Sequence, residues 1–240
     1  MSQGNASSAF ARSANQGYAR FGMVIVLLVA FCAGLAPGAS AAPDGPTMCN
    51  GTISGGPYFG IVVPEGAICN LITAAVVGDV TAAPGSDLRI FIHSTIRGNV
   101  TTSGALVQIT GAVVVGNIAI AGALDSPTGQ LEVVVNESTV VGGDITVRDG
   151  AGTVVVDDNH LIDGDIFVSA NFVPPFLDYP SGLSVRLNEV HGNVTVSSNT
   201  GPGFKIVASN IVTGTLTCFE NEQEFIGGPN SAGSTVGDCF

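Results

Sequence analysis

Gly98-Asn99-Val100-Thr101-Thr102, Gly116-Asn117-Ile118-Ala119-Ile120 and Gly143-Asp144-Ile145-Thr146-Val147 are three statements of one five-residue phrase. Its form is Gly, then Asn or Asp, then Val or Ile, then any residue, then an apolar or small residue. The phrase opens at Gly78-Asp79-Val80 and continues through Gly164-Asp165-Ile166 and Gly192-Asn193-Val194 to a degenerate copy, Gly214-Thr215-Leu216-Thr217-Cys218. The steps between glycines are 20, 18, 27, 21, 28 and 22 residues. A repeat of this period built from short apolar strands is the signature of stacked coils. The expected fold is therefore all-β: a single-stranded parallel β-helix, or β-solenoid, of about eight rungs. With strands stacked ~4.8 Å apart, it would be roughly 40 Å long. Irregular rung lengths favour a right-handed coil, since a left-handed hexapeptide coil holds a more constant period.

Two places before each glycine stand Val76, Ile96, Val114, Val141, Ile162, Val190 and Val212. Two places after it stand Val80, Val100, Ile118, Ile145, Ile166, Val194 and Leu216. Copies of one position stack into an apolar ladder, and period-2 alternation sends the residues between them outward. A second strand precedes each phrase, as in Leu88-Arg89-Ile90, Leu106-Val107-Gln108-Ile109 and Leu183-Ser184-Val185-Arg186-Leu187. Glycine with Asn or Asp between strands suggests tight corners with positive φ.

The first 41 residues read as a signal peptide and residues 42–240 as the β-helix domain. Arg12 and Arg20 precede the apolar run Phe21–Leu35, which is shorter than the ~20 residues of a membrane span. Ala39-Ser40-Ala41 has the small-x-small form of a cleavage site. Phe31 stands where a lipobox needs a small residue, so Cys32 is not read as a lipid anchor. The expected location is the extracellular space or the cell envelope, with no membrane span after the signal is removed.

All 19 acidic residues lie beyond residue 41, against five basic ones, a formal charge of −14. Such a surface repels nucleic acid and anionic lipid. It also repels acidic polysaccharide unless a cation bridges the two. Four cysteines follow the signal segment: Cys49, Cys69, Cys218 and Cys239. An even number in an exported chain points to disulfides. Four cysteines allow three pairings. Placement favours Cys49 with Cys69 and Cys218 with Cys239, each closing about one rung at an end of the coil. Free buried thiols and a zinc site are the alternatives.

With its Cys49-Asn50-Gly51-Thr52 opening, its glycine phrases and its closing Leu216-Thr217-Cys218 and Gly237-Asp238-Cys239, the chain resembles small exported β-helix repeat proteins of actinobacteria. The resemblance spans nearly all of residues 42–240. It implies the fold and secretion, and no established activity.

Two rungs are longer than the rest. One insertion covers about residues 122–129 and the other about 171–182. Loops on a rigid scaffold often carry binding. The second holds Phe172, Phe176, Asp178 and Tyr179, aromatics beside a carboxylate that suit sugar stacking or a protein contact. The plainer reading is a loop folding its aromatics onto the side of the coil. The acidic run Asp157-Asp158-Asn159-His160 with Asp163 invites an enzyme reading, with His191 one rung along from His160. A polysaccharide hydrolase needs one carboxyl to protonate the leaving oxygen and another to activate water. Here the plainer reading is carboxylates at turns that keep an apolar rod soluble.

Asp79, Asp144 and Asp165 share one rung position, but no dense calcium loop surrounds them, and no metal or cofactor is expected. The outward row of threonines is interrupted by Ala119 and Phe167, against an ice-ordering array. The expected function is a structural or binding solenoid without catalytic activity. Its partner would be an envelope or extracellular polysaccharide, or a surface protein. The alternative is a carbohydrate-active enzyme using Asp157, Asp158, Asp163 and His191.

Overall fold

The computed structural model describes residues 45–123, 133–137, 139–174, 182–222 and 225–239. These lie in one compact unit, Pro43–Phe240. The chain forms a parallel β-solenoid whose coils each contribute strands to three ladders. The lead face stacks strands such as Asp87–Ile90, Leu106–Thr110, Val133–Asn136, Val154–Asp157, Leu183–Arg186 and Lys205–Ala208. The short face stacks two-residue strands, Thr95–Ile96, Val113–Val114, Val140–Val141, Leu161–Ile162 and Glu189–Val190. The phrase face stacks the strands that follow each glycine, among them Val100–Ser103, Ile118–Ala121, Ile145–Arg148, Ile166–Ser169 and Val194–Ser197. Every pairing is parallel, and no helix occurs among the described residues.

The register is the one the phrase implies. Val100, Ile118, Ile145, Ile166, Val194 and Leu216 are consecutive partners on the phrase face. All are fully buried, as are Ile96, Val114, Val141, Ile162 and Val190 on the short face. Burying such a side chain contributes about 1.5–3 kcal/mol, so a β-branched ladder supplies a continuous core along the coil.

The phrase glycines serve a purpose other than the expected one. None has positive φ. The left-handed corner residues are others: Gly85, Gly104, Gly111 and Gly122 in the earlier coils, and Asp149, Asp158, Ala170, Leu187, Ser198, Ser209 and Glu220 later. At the phrase glycines the backbone passes against the coil before it. A Cβ on Gly164 would lie 2.3 Å from Asp144 Oδ1 and 2.6 Å from the Gly143 carbonyl carbon. On Gly192 it would lie 2.2 Å from Asp165 Oδ1. The following Asn or Asp explains the crowding, because its Oδ1 accepts the backbone N–H of its counterpart one coil on. Asp79 takes Asn99 N at 2.7 Å, Asn99 takes Asn117 N at 2.9 Å and Asn117 takes Asp144 N at 2.8 Å. Asp144 takes Asp165 N at 2.8 Å and Asp165 takes Asn193 N at 2.6 Å.

Two further ladders lie inside. Asn159, Asn188, Asn210 and Asn230 follow one another at the corner between lead and short faces. Asn171, Asn199 and Asn221 do so between phrase and lead faces. Asn159, Asn171, Asn188, Asn199 and Asn210 are buried. Each amide donates to the next Asn Oδ1 and to a strand carbonyl. Asn188 Nδ2, for example, reaches Asn210 Oδ1 at 3.0 Å and Val156 O at 2.7 Å. In the earlier coils Ser94 and Ala112 stand at the first corner, and Ser86, Ala105 and Ala123 at the second. A turn of chain in the αL conformation leaves an orphan carbonyl, and a buried orphan costs about 1–3 kcal/mol.

Cys49 pairs with Cys69 and Cys218 with Cys239, with Cα atoms 5.5 and 5.4 Å apart. Each tie joins one end coil to the body. The outer strands of these tied end coils are paired on one side: among the described residues Gly51–Tyr58 pairs only with Ile68–Val76, and Ser231–Gly237 only with Ile211–Phe219. Each bridge spans about 20 residues. Replacing Cys218 and Cys239 together by Ser should therefore cost about 3 kcal/mol in urea unfolding.

Candidate functional site

Asp157 ends a lead strand, and register sets it beside Arg186 of the next coil. Alternation turns its side chain outward, where it meets two donors from the neighbouring strand. Ser184 Oγ lies 2.7 and 2.8 Å from its two oxygens. Arg186 donates its backbone N–H at 2.9 Å, Nε at 3.1 Å and Nη2 at 2.7 Å. A carboxylate so saturated has no lone pair free for substrate, and its work is to clamp two coils.

The remaining acidic residues separate onto different corners. Asp158 is the αL residue at the corner between lead and short faces. Asp163 lies past the short strand Leu161–Ile162, before Gly164. Its Oδ1 is 3.0 Å from His191 Nδ1, and both side chains are 53% exposed. His191 thus stacks on Asp163 rather than on His160, because Ile162 pairs with Val190. The proposed constellation of Asp157, Asp158, Asp163 and His191 is accordingly divided among a strand clamp and two corners.

What the fold does gather is a different set. Asp158, His160, Leu187, Glu189, Ser209 and Ile211 line an open cleft of about 250 Å³. Glu189 was missed in the sequence. The signal for it is that Glu189-Val190 occupies in its coil the place of Leu161-Ile162 in the one before.

At the root of the second insertion Phe172 bridges Ala151 and Thr200 and is 50% exposed. Val173 beside it is fully buried. It is admitted by glycines: a Cβ on Gly182 would lie 2.1 Å from Val173 Cγ1, and one on Gly203 2.5 Å from the Pro174 carbonyl oxygen. Phe176, Asp178 and Tyr179 lie outside the described residues, as does most of the 122–129 insertion.

The same root holds a buried cation. Lys205 occupies the inward row between Leu183 and Phe225 and has no exposed surface. Its Nζ donates to the Gly201 carbonyl at 3.1 Å and the Gly203 carbonyl at 3.4 Å. Burial lowers its pKa from the ordinary 10.5, partly offset by Glu222. A folded value below the unfolded one means that the cost of burying the charge is fully present below that lowered value. The cost fades as pH rises through the lowered value towards 10.5, where the folded state sheds its proton first. The wild type should therefore gain stability relative to Lys205→Met across that alkaline window, read as the difference in urea midpoint against pH.

No protein-family model, no curated protein and no solved structure matches this chain. The described residues contain no group of three or more His, Cys, Asp or Glu side chains placed to hold a metal ion.

Proposed function

We propose that the protein is an exported structural or binding β-solenoid of the cell envelope or extracellular space, without catalytic activity, and that recognition falls on the 171–182 excursion. The observation that carries this reading is how the acidic side chains are used. Asp157 is spent on Ser184 and Arg186, and Asp79, Asp144 and Asp165 each hold the backbone of the next coil. Export is supported by the leader-like segment, the two disulfides and the resemblance to exported repeat proteins. Phe172, beside the anchored Val173, supports recognition at the excursion, since aromatics on a rigid root lose little entropy on binding.

The test is a glycan-array screen of residues 42–240 beside a variant in which residues 175–181 become a short Gly-Ser turn. Val173 and Gly182 are kept because they pack against each other. Specific binding that disappears in the variant supports a recognition module. Binding that persists in the variant but is lost on Phe172→Ala puts recognition at the root, binding that survives both changes moves the site elsewhere, and no binding by any of these proteins leaves a purely structural role.

A second reading rests on the cleft with Asp158, His160 and Glu189. Two carboxylates and an imidazole in one cleft are the components of acid-base hydrolysis of a polysaccharide. Asp158→Asn with Glu189→Gln would abolish turnover by such an enzyme and leave a binder's affinity unchanged.

A further inference from the structure

Five basic side chains lie beyond residue 41, and four of them are occupied. Arg89 pairs with Asp87 at 2.6 Å, Arg148 with Asp149 at 2.7 Å and Arg186 with Asp157 at 2.7 Å. Lys205 is consumed by the Gly201 and Gly203 carbonyls. Of these, only the Arg97 side chain has no hydrogen-bond or ion-pair partner among the described residues, in a chain where carboxylates outnumber cations several-fold.

The residues stacked above and below Arg97 are apolar, while the Asp79 carboxylate lies beside the neighbouring Gly98. It follows the short strand Thr95–Ile96, so its column along the solenoid runs Val77, Arg97, Val115. Val77 is 41% exposed and Val115 53%. The backbone N–H groups of Val77, Arg97 and Val115 donate to Tyr58 O, Val76 O and Ile96 O, which fixes these residues one above another. Beside this column Ala75 pairs with Thr95, and Thr95 with Val113. Pro57, Ala75, Val76, Val77, Thr95 and Arg97 enclose an open cleft of about 480 Å³ near the first coils. That is the size of a small-molecule site and too small for a folded partner.

We propose that this cleft binds a monocarboxylate carried on an apolar tail, with Arg97 holding the carboxylate and Val77 and its neighbours the tail. A guanidinium presents a planar fork that matches a carboxylate with two parallel hydrogen bonds. Its weak hydration suits a partly apolar setting better than an ammonium would. A single guanidinium neutralises a single charge. Acidic polysaccharides and dianionic phosphates would bring further negative charge against a strongly acidic protein, so their approach is opposed. An uncharged apolar molecule would leave Arg97 without a partner among the described residues. The proposal does not depend on recognition by residues 171–182.

The test is titration of the ¹⁵N-labelled full chain with decanoate and with decanol, both below their aggregation limits, followed by amide shifts. Decanoate should move the amides of Ala75–Val77 and Thr95–Arg97, and decanol should bind at least tenfold more weakly. Arg97→Gln should weaken decanoate at least tenfold and leave decanol unchanged, and Arg97→Lys should fall between. Arg97 is exposed, so these variants should fold as the wild type does, checked by an unchanged thermal midpoint. Shifts that are absent, or spread over the molecule, overturn the site. Equal affinity of the wild type and Arg97→Gln for decanoate overturns carboxylate recognition.

Discussion

Asn188→Ala should destabilise the solenoid by about 3 kcal/mol, read as a lowered urea midpoint with an unchanged slope in a circular-dichroism titration. Asn188 is almost wholly buried and sits in the middle of its ladder. Its Oδ1 accepts Asn159 N at 3.3 Å and Asn159 Nδ2 at 2.7 Å, and its amide donates to Val156 O and Asn210 Oδ1. Truncation leaves the Asn159 backbone N–H and the Val156 carbonyl without these partners, each inside the coil. Each such group costs about 1–3 kcal/mol. The cavity left by the amide adds to the loss. Ala112 at the same corner of an earlier coil is no counter-example, because its neighbouring coils were built without an Asn to be orphaned. The expected sign therefore depends on the ladder, not on the corner. A cost below about 0.5 kcal/mol, the range of ordinary surface changes, would mean that water replaces the ladder at no loss.

Gly164→Ala should cost at least as much, about 3 kcal/mol or more. The added methyl would stand 2.3 Å from Asp144 Oδ1 and 2.7 Å from the Gly143 carbonyl oxygen. The first contact is a side-chain tip, but it is held by the Asp165 N–H at 2.8 Å. The second is backbone. Relief requires the two coils to separate, which weakens the neighbouring ladder hydrogen bonds and the contact between Ile145 and Ile166 beneath them. Gly228→Ala is the control. Its φ is not positive and its nearest neighbour would be Ala208 Cβ at 3.5 Å, so the change should stay within about 0.5 kcal/mol. Comparable effects at both sites in equilibrium unfolding would sink the close-approach account of the phrase glycines.

These predictions separate two kinds of legibility. The phrase could be read because stacked coils repeat one environment, so a position that is apolar in every copy must face the same core. Val76 and Ile96, or Val80 and Val100, needed no structure to be paired. The cysteine pairs were legible for a related reason, each lying about one period apart at an end of the repeat. The acidic run from Asp157 to Asp163 misled in its grouping. Between Asp157 and Asp163 the chain rounds one corner, runs along a short strand and enters the next corner, so neighbours in sequence reach different faces. Asp157 meets Arg186, 29 residues away, because register brings them side by side. The Asn ladders were missed since an Asn after a strand reads as a turn residue. Only the stacking of Asn159 on Asn188 and Asn210 makes it an interior one.

The periodic pattern made the parallel coil and its apolar ladders legible, because both repeat in every coil, and cysteine placement favoured the observed pairing without excluding the others. The tertiary structure alone decided which polar side chains are consumed and which stay free. Asp157 is clamped, Lys205 is buried among carbonyls, and the Arg97 side chain has no partner among the described residues. The physical reason is that a hydrogen bond between coils depends on register across 20 to 30 residues and on which side of a strand faces out. One extra residue at a corner, such as His160, shifts both.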